Sequence, residues 1–452
     1  MNASNKSHAN TQRRKGQIIK QSSIIWLSLF LILLFITPAS AQEVADTIRI
    51  RTRAVFLDAL VKDKKTGVPI SDLKPENFEL FDDGQPRPIS YFTREGQARK
   101  PLALVLILDL RDDGAGRFLK REEVRNALVD ELAKLPAGDE VAILAINLNS
   151  VDDKTAAIRN GKALWLTEFT RDHNQLETAL ARIPALVAAR PESEKSDDPK
   201  HEGSASVTVQ SDPNESKPNE AAGTKTKDNE VLETETIKGK NGAVITRTTK
   251  KDGSVSVKRV SGNGKVNIEL DNIYDIAGAT RDAAKLSADK RSDHQTAIVW
   301  LSDGIAPIFY EDREATERIL IRENAIFNSL TVDMRTLYKF LLPFGQPLVG
   351  WTGLSLAGSA KRLAQVSGGE AVRVNRTSDY GAGLARIIGN LTARYSLGFA
   401  LSEQEKDDGH MHELSVRVKA TDVKGKQRKL EVSSRRGYYL PKGDTDQAAA
   451  NK

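Results

Sequence analysis

The chain has 452 residues, of which 39% are hydrophobic and 28% are charged, a composition typical of a globular protein with more than one domain. The formal net charge of +6 does not indicate nucleic-acid binding, because residues 1–41 contain five basic and no acidic side chains, which leaves only +1 for the rest. The sequence has no cysteine, which excludes disulfides, thiol catalysis and thiolate metal sites.

Residues 1–41 have the features of a secretory signal peptide. Basic side chains precede the apolar run Ile24–Ile36, and the small residues Ala39-Ser40-Ala41 form a cleavage motif. A helix over this run is about 20 Å long, shorter than the roughly 30 Å hydrocarbon core of a bilayer. We therefore expect cleavage after Ala41 and export to the periplasm or the outside of the cell. The alternative is an uncleaved segment that anchors the protein in the inner membrane.

Residues 42–99 are predicted to form a small β module. The stretch IRIRTRAVFLDALVKD alternates between apolar and polar residues, and FELFDDGQPRPISYF contains two short strands around the turn Asp82-Asp83-Gly84. A module with so few strands buries little apolar surface. It therefore needs its own hairpins or the following domain for stability.

Residues 100–394 alternate between buried strands and amphipathic helices. The run LALVLIL is wholly apolar, the helical pattern EEVRNALVDELAKL follows it, and VAILAI is the next strand. A strand, crossover helix and second strand favour a parallel sheet. The remaining predicted elements are helices near 176–183, 273–286, 315–330, 356–366 and 380–391, and strands near 297–301, 332–337 and 370–374. We predict a doubly wound α/β domain with a mostly parallel sheet.

A polar insertion, residues 190–262, interrupts this domain. It is rich in Ser, Lys, Glu, Asp, Asn, Thr and Pro and contains no aromatic residue, so it offers little apolar surface to offset the entropy of ordering. We predict a disordered, solvated segment in which the alternation around Asp252-Gly253 allows one hairpin. The alternative is a segment that becomes ordered on binding a partner.

Residues 395–440 return to short alternating strands. The stretches RYSLGFAL, HELSVRVKA, RKLEVSS and GYYL are separated by Gly, Asp and Lys turns, which predicts a second, antiparallel β module. The polar and small residues 441–452 are predicted to form a frayed tail.

The order of these motifs resembles an established family. VFLDALVKDKKTGVPISDLKPENFELFDDGQPRPISYF is followed by ALVLILD, EFTRDHNQLETALARI, IVWLSDG, ARYSLGF and RRGYY. This succession resembles the exported von Willebrand factor A-related proteins of Acidobacteria and related bacteria, over nearly all of the chain after residue 41 except the insertion. The resemblance implies a von Willebrand A-like α/β domain. It also implies binding of protein ligands through a metal-ion-dependent adhesion site.

The ends of two predicted strands carry the residues that such a site would use. Asp109 ends the first buried strand and Asp303 follows another, and the carboxyl ends of strands in an open α/β sheet form its functional crevice. In the family pattern, Asp109 matches the aspartate of an Asp-x-Ser-x-Ser motif, Thr170 matches a threonine and Asp303 matches the last aspartate. The two serine positions hold Arg111 and Asp113 instead.

This departure predicts a degenerate metal site. A guanidinium cannot ligate a cation, and Arg111 adds a fixed positive charge beside the position of the ion. Two unit charges about 4 Å apart repel by roughly 4 kcal/mol at an effective dielectric constant of about 20, and a divalent ion doubles this. We expect no Mg²⁺ or only weakly bound Mg²⁺. The alternatives are a variant site in which Asp112 or Asp113 offsets Arg111, and a purely structural role for the carboxylates.

Other motifs give weaker signals. Gly114-Ala115-Gly116 lacks the lysine and spacing of a phosphate-binding loop, so no nucleotide site is predicted. His410 and His412 offer two ligands, but the sequence shows no third histidine, cysteine or acidic partner for them. We interpret them as a turn residue and an exposed strand residue.

The sequence therefore favours an exported protein without catalytic activity that binds another protein or a cell-surface ligand. One alternative is a metal-assisted hydrolase that uses the acidic cluster Asp109, Asp112, Asp113 and Asp303. Another is an assembly or chaperone-like subunit of an envelope complex. An enzyme needs a base or nucleophile beside the acids, and the sequence shows none.

Overall fold

The computed structural model describes residues 53–94, 100–110, 115–146, 164–187, 205–209, 231–250, 255–271, 276–304, 308–332, 353–355, 358–422 and 424–440. The predicted signal peptide and the C-terminal tail lie outside these ranges. The described residues belong to one compact unit, Arg53–Lys452. Within these ranges no helix has the length and apolar character needed to cross a membrane.

The described strands form five sheets. In chain order they are β1 (Ala54–Asp63), β2 (Phe78–Asp82), β3 (Gln85–Arg87), β4 (Tyr91–Thr93), β5 (Leu102–Asp109), β6 (Glu140–Ile146), β7 (Leu164–Thr170), β8 (Ala205–Val209), β9 (Val231–Lys238), β10 (Val244–Lys250), β11 (Val255–Val260), β12 (Val266–Asp271), β13 (Gln295–Ser302), β14 (Ile308–Phe309), β15 (Ile326–Val332), β16 (Leu354–Ser355), β17 (Ala371–Val374), β18 (Tyr395–Ala400), β19 (Met411–Val418), β20 (Leu430–Ser433) and β21 (Gly437–Tyr439).

The helices connect these strands or follow them. They are α1 (Gly116–Leu119), α2 (Glu122–Leu132), α3 (His173–Ala181), α4 (Ile183–Leu186), α5 (Ile276–Lys290), α6 (Tyr310–Arg322), α7 (Ser359–Ser367) and α8 (Asp379–Thr392).

A six-stranded sheet forms the centre of the α/β region. Its strand order is β17-β15-β13-β5-β6-β7, and every neighbouring pair is parallel except β6 and β7. The chain starts in the middle, at β5, runs to one edge through β6 and β7, and then continues on the other side of β5 through β13, β15 and β17. This is the order of a doubly wound sheet, in which the direction of winding reverses between β5 and β13. The predicted mostly parallel sheet is present.

Helices cover both faces of this sheet. Leu104 and Leu106 pack on one face with residues of α2, α3 and α8, whereas Val105 and Ile107 pack on the other with residues of α5, α6 and α7. Every side chain of β5 is buried, because successive residues of a strand point to opposite faces and both faces are covered.

One predicted helix is longer than the structure allows. A helix was predicted at 315–330 and a strand at 332–337, but α6 ends at Arg322 and β15 already occupies Ile326–Val332. Asn324, with φ of 49°, separates the two elements. The wholly buried run IFNSLTV fits a central strand as well as a buried helix, so periodicity alone cannot distinguish them.

The two β modules expected from the sequence share sheets. The N-terminal strand β1 pairs with the C-terminal strands β18 and β20, and β2 pairs with β19. The resulting sheets, β20-β1-β18-β4 and β21-β19-β2-β3, enclose one core that includes Leu57, Leu80, Leu397 and Leu414. We call this unit the β-sandwich. Neither segment has enough strands to bury an apolar face alone, which explains why they combine.

The insertion was predicted to be disordered, but its described residues form strands. Strands β8 to β12 form an antiparallel sheet in the order β8-β12-β11-β10-β9, which we call the insertion sheet. The predicted hairpin is present as the pair β10 and β11, although Asp252-Gly253 lies outside the described residues. Ile245, Val257 and Ile268 pack with Phe309 of the α/β region. The insertion alone has too few apolar residues for a core, and this neighbouring surface completes it.

Candidate functional site

Three polar residues lie together at the carboxyl ends of β5 and β13. Asp109 is the last residue of β5, Ser302 is the last of β13, and Asp303 follows it. These two strands are neighbours at the point where the winding reverses, and the functional crevice of a doubly wound sheet lies there.

One hydroxyl connects the two carboxylates. Ser302 Oγ donates to Asp109 Oδ2 at 2.9 Å and lies 3.3 Å from Asp303 Oδ1. The backbone N–H of Gly304 donates to Ser302 Oγ at 3.2 Å, which fixes the hydroxyl. Asp109 is 1% exposed and Asp303 is 4% exposed, so both carboxylates belong to the protein interior. Burial of such polar groups costs free energy unless hydrogen bonds compensate for the lost water, and the Ser302 hydroxyl provides one of these bonds.

A buried tyrosine and an arginine extend this group. Burial raises the pKa of Tyr380, on the first turn of α8, and the charges of Asp303 and Asp109 raise it further, whereas Arg117 on α1 lowers it. Tyr380 is fully buried, and its hydroxyl has no hydrogen-bond partner among the described residues. We call Asp109, Ser302, Asp303 and Tyr380 the strand-end group.

The structure does not bring Thr170 to the strand-end group. β7 runs antiparallel to β6, so Thr170 pairs with Val141 at the start of β6, whereas Asp109 pairs with Ile146 at its end. At about 3.3 Å per residue, this register separates the two positions by roughly 17 Å along the strands. A common metal ion cannot bridge that distance.

Thr170 has a local role instead. Its Oγ1 accepts a hydrogen bond of 3.1 Å from the backbone N–H of Asp172. The carboxylate of Asp172 in turn accepts from the N–H of Asn174 at 2.9 Å and caps α3. These contacts shape the connection from β7 to α3.

The donor set of the predicted ion is therefore incomplete in the described part of the chain. Asp109 and Asp303 come together, Thr170 lies at the opposite edge, and Arg111 and Asp113 lie outside the described residues. Two carboxylates and a buried hydroxyl do not by themselves make the octahedral oxygen set that Mg²⁺ requires. The effect of Arg111 on an ion stays a prediction.

Two members of the strand-end group were missed by the sequence analysis as site residues. Ser302 precedes Asp303 in the LSDG motif, so its position gave a usable signal. Tyr380 follows β17, seventy-seven positions after Asp303 in the numbering, and only the folded sheet brings it to the same edge.

A second buried polar group joins the insertion sheet to helices α5 and α6. Arg281 of α5 donates to Asp312 of α6 at 2.6 Å and to Glu235 of β9 at 2.6 Å. Arg247 of β10 also pairs with Asp312 and lies 3.6 Å from Glu235. Arg247, Arg281 and Asp312 are each at most 3% exposed. We call these four residues the arginine-carboxylate cluster.

A neighbouring ion pair extends the same contact. Arg259 of β11 donates to both carboxylate oxygens of Glu311, at 2.8 and 3.1 Å. Gly353 has φ of +75°, and an added Cβ there would lie 2.7 Å from the Arg259 guanidinium carbon. This paired geometry fixes the insertion sheet in one orientation against α6, because bidentate arginine-carboxylate contacts are directional.

Comparisons with known proteins give little further information. No protein-family model and no curated protein matches the sequence. Among solved structures, the chain is similar to the pilus adhesin SpaC from Lactobacillus rhamnosus GG in its open conformation, with 8% sequence identity and a TM-score of 0.32. The alignment covers 84% of this chain and 49% of the adhesin chain. A second form of that adhesin gives a TM-score of 0.31. The chain thus spans about half of the adhesin's length, and this score does not establish a shared fold.

Proposed function

We propose that this chain is an exported von Willebrand A-like protein that binds another protein or a cell-surface component at the strand-end edge of its central sheet. The observation that carries the proposal is the strand-end group itself. Asp109, Ser302 and Asp303 form a buried polar group where the winding of the sheet reverses. In an open α/β sheet, the carboxyl ends of the strands at such a reversal form the crevice in which ligands bind, which supports this edge as the binding face.

The geometry favours binding over hydrolysis. Ser302 is 0% exposed and its hydroxyl donates to Asp109, so it is a structural hydroxyl that a substrate cannot reach. Of the described histidines, His173 and His294 lie at the opposite edge of the sheet, and His410 and His412 belong to the β-sandwich region. An imidazole base beside the acids is therefore not provided by these four residues.

We further propose that the adhesion-type metal site is degenerate. Thr170 is remote from the two acids, and the sequence carries Arg111 and Asp113 where serine ligands are expected. In this proposal Asp109 and Asp303 organise the strand-end loops internally, and the partner contacts the loops rather than an ion.

Calorimetric titration with Mg²⁺ and Mn²⁺ tests the metal component. For Mg²⁺, and for any Mn²⁺ binding that Asp303→Ala removes, we expect no saturable binding or weak binding with a dissociation constant in the millimolar range. A micromolar dissociation constant that Asp303→Ala abolishes and Thr170→Ala leaves unchanged would contradict the degenerate site. Thr170→Ala is the matched control because it changes a predicted ligand that lies at the other edge.

Site-specific photo-crosslinking tests the binding face. Asn375 is exposed and follows β17 at the strand-end edge, whereas Ala137 is exposed and precedes β6 at the opposite edge. A photoreactive residue at 375 is expected to crosslink an envelope component that the same residue at 137 does not. Equal crosslinking from both positions, or none from position 375, argues against this face as the binding surface.

A further inference from the structure

A cluster of possible metal ligands lies in the β-sandwich, away from the strand-end group. Asp82 ends β2, Asp83 follows it in the turn to β3, and His412 lies on the neighbouring strand β19. A carboxylate oxygen of each aspartate and a ring nitrogen of His412 all lie within 4.8 Å of one another. The turn has φ of 48° at Asp83 and 79° at Gly84, so this hairpin geometry points the two adjacent acids into one region.

The histidine is held by acids on two sides. His412 Nδ1 lies 2.8 Å from Asp83 Oδ2, and its Nε2 lies 3.5 Å from Asp408 Oδ2. The backbone N–H of Glu413 donates to Asp83 Oδ1 at 2.7 Å, which fixes the Asp83 carboxylate. No acidic partner for His412 was predicted from the sequence, and Asp83 lies next to it across the sheet. The pairing of β19 with β2 brings His412 next to Asp83, although the two residues are far apart in the sequence.

Asp82 provides an independent sign of a ligand. Its side chain is 4% exposed, and Oδ2 accepts hydrogen bonds from Tyr438 Oη at 3.1 Å and Arg87 Nε at 2.9 Å. Its other oxygen, Oδ1, is buried without a hydrogen-bond partner among the described residues. His412 Nε2 likewise accepts and donates no hydrogen bond among the described residues, although Asp408 Oδ2 lies 3.5 Å from it. A buried carboxylate oxygen without a donor costs free energy, and a bound cation would remove that cost.

We propose that Asp82, Asp83 and His412 bind a divalent transition-metal ion of the Zn²⁺ class. Two carboxylate oxygens and one imidazole nitrogen are ligands that Zn²⁺ accepts, with water in the fourth position, whereas Mg²⁺ and Ca²⁺ favour oxygen ligands alone. The ion ties the β2–β3 turn to β19. In a chain without cysteine it supplies a cross-link inside the β-sandwich of a kind that disulfides provide elsewhere. This site is independent of the proposed binding function.

Calorimetry and cobalt spectroscopy of the full chain test the site. Titration of the metal-free protein with Zn²⁺ is expected to show one saturable site and to raise the melting temperature. Co²⁺ is expected to occupy the same site and to give visible absorption bands that depend on His412. Absence of saturable Zn²⁺ binding in the wild-type chain overturns the proposal.

Matched variants distinguish this site from adventitious binding. His412→Gln and Asp83→Asn each remove one ligand and are expected to weaken Zn²⁺ binding about 100-fold or more. Asparagine tolerates the positive φ at position 83, so Asp83→Asn preserves the turn. It therefore tests the site even where His412→Gln perturbs folding. His410→Gln removes an exposed imidazole from the same segment and is expected to have no effect on Zn²⁺ binding. Equal loss in His410→Gln, or unchanged binding in both ligand variants, refutes the assignment.

Discussion

Replacing Asp312 with asparagine is expected to release the insertion sheet from the α/β region. Asp312 is 3% exposed and accepts hydrogen bonds from Arg281 and Arg247, which are equally buried. Asparagine keeps the size of the side chain and one acceptor oxygen but removes the negative charge. Of the acidic side chains that pair with both guanidinium groups in the described part of the chain, Glu235 then remains, and its side chain is 28% exposed.

The cost follows from the charges that remain. A unit ion pair about 4 Å apart at an effective dielectric constant of about 20 contributes roughly 4 kcal/mol before desolvation. Removing one partner of a buried pair costs about 3–5 kcal/mol, because the other charge stays buried without compensation. We expect the opening free energy of the insertion sheet to fall by about this amount in Asp312→Asn.

Hydrogen exchange of the β10 and β11 amides measures this opening directly. A loss of about 3 kcal/mol or more corresponds to exchange faster by a factor of about 100 or more. Lys419→Ala is the control, since Lys419 and Glu79 form an exposed pair, with 66% and 41% of their side chains accessible. That variant is expected to change stability by less than about 1 kcal/mol and to leave β10 exchange unchanged. Unchanged β10 and β11 exchange in Asp312→Asn refutes the reasoning.

Two further predictions concern the same contact. Burial raises the pKa values of Glu311 and Asp312, but their arginine partners outweigh it and hold both below the ordinary values of 4.5 and 3.8. The ion pairs of these two carboxylates therefore stabilise the folded protein at neutral pH, and this stabilisation is lost as the pH falls through and below those values. Circular dichroism and hydrogen exchange between pH 6 and about pH 3 will detect the loss. Gly353→Ala is expected to cost more stability in urea denaturation than Gly425→Ala. Both glycines have positive φ, a conformation that costs alanine about 1–2 kcal/mol. An added Cβ at Gly353 would also collide with the Arg259 side chain, whereas one at Gly425 would meet no atom within 4 Å. Equal costs would contradict the steric argument.

The arginine-carboxylate cluster also explains why composition misrepresented the insertion. Its polar residues suggested solvent exposure, yet Glu235 and Arg247 face oppositely charged side chains of α5 and α6. A charge-rich segment becomes ordered when the charges it carries are matched on a neighbouring surface. That match depends on Arg281 and Asp312, which lie outside the segment and give no local signal.

Local sequence was sufficient for much of the α/β region. The apolar run of β5 and the helical spacing in α2 follow from strand and helix periodicity. Asp109 and Asp303 were placed at one sheet edge by the rule that parallel strands align their carboxyl ends, and the structure brings them together through Ser302.

Residue type and local spacing are enough to predict the absence of disulfides, the alternation of strands and helices, and the two acids of the strand-end group. Three other features depend on long-range strand pairing. The antiparallel direction of β7 moved Thr170 to the far edge, the pairing of β1 with β18 and β20 merged two β segments, and the pairing of β2 with β19 brought His412 to Asp83. Strand partners and directions are set by which apolar faces can be buried together over long separations, and local sequence does not encode that choice.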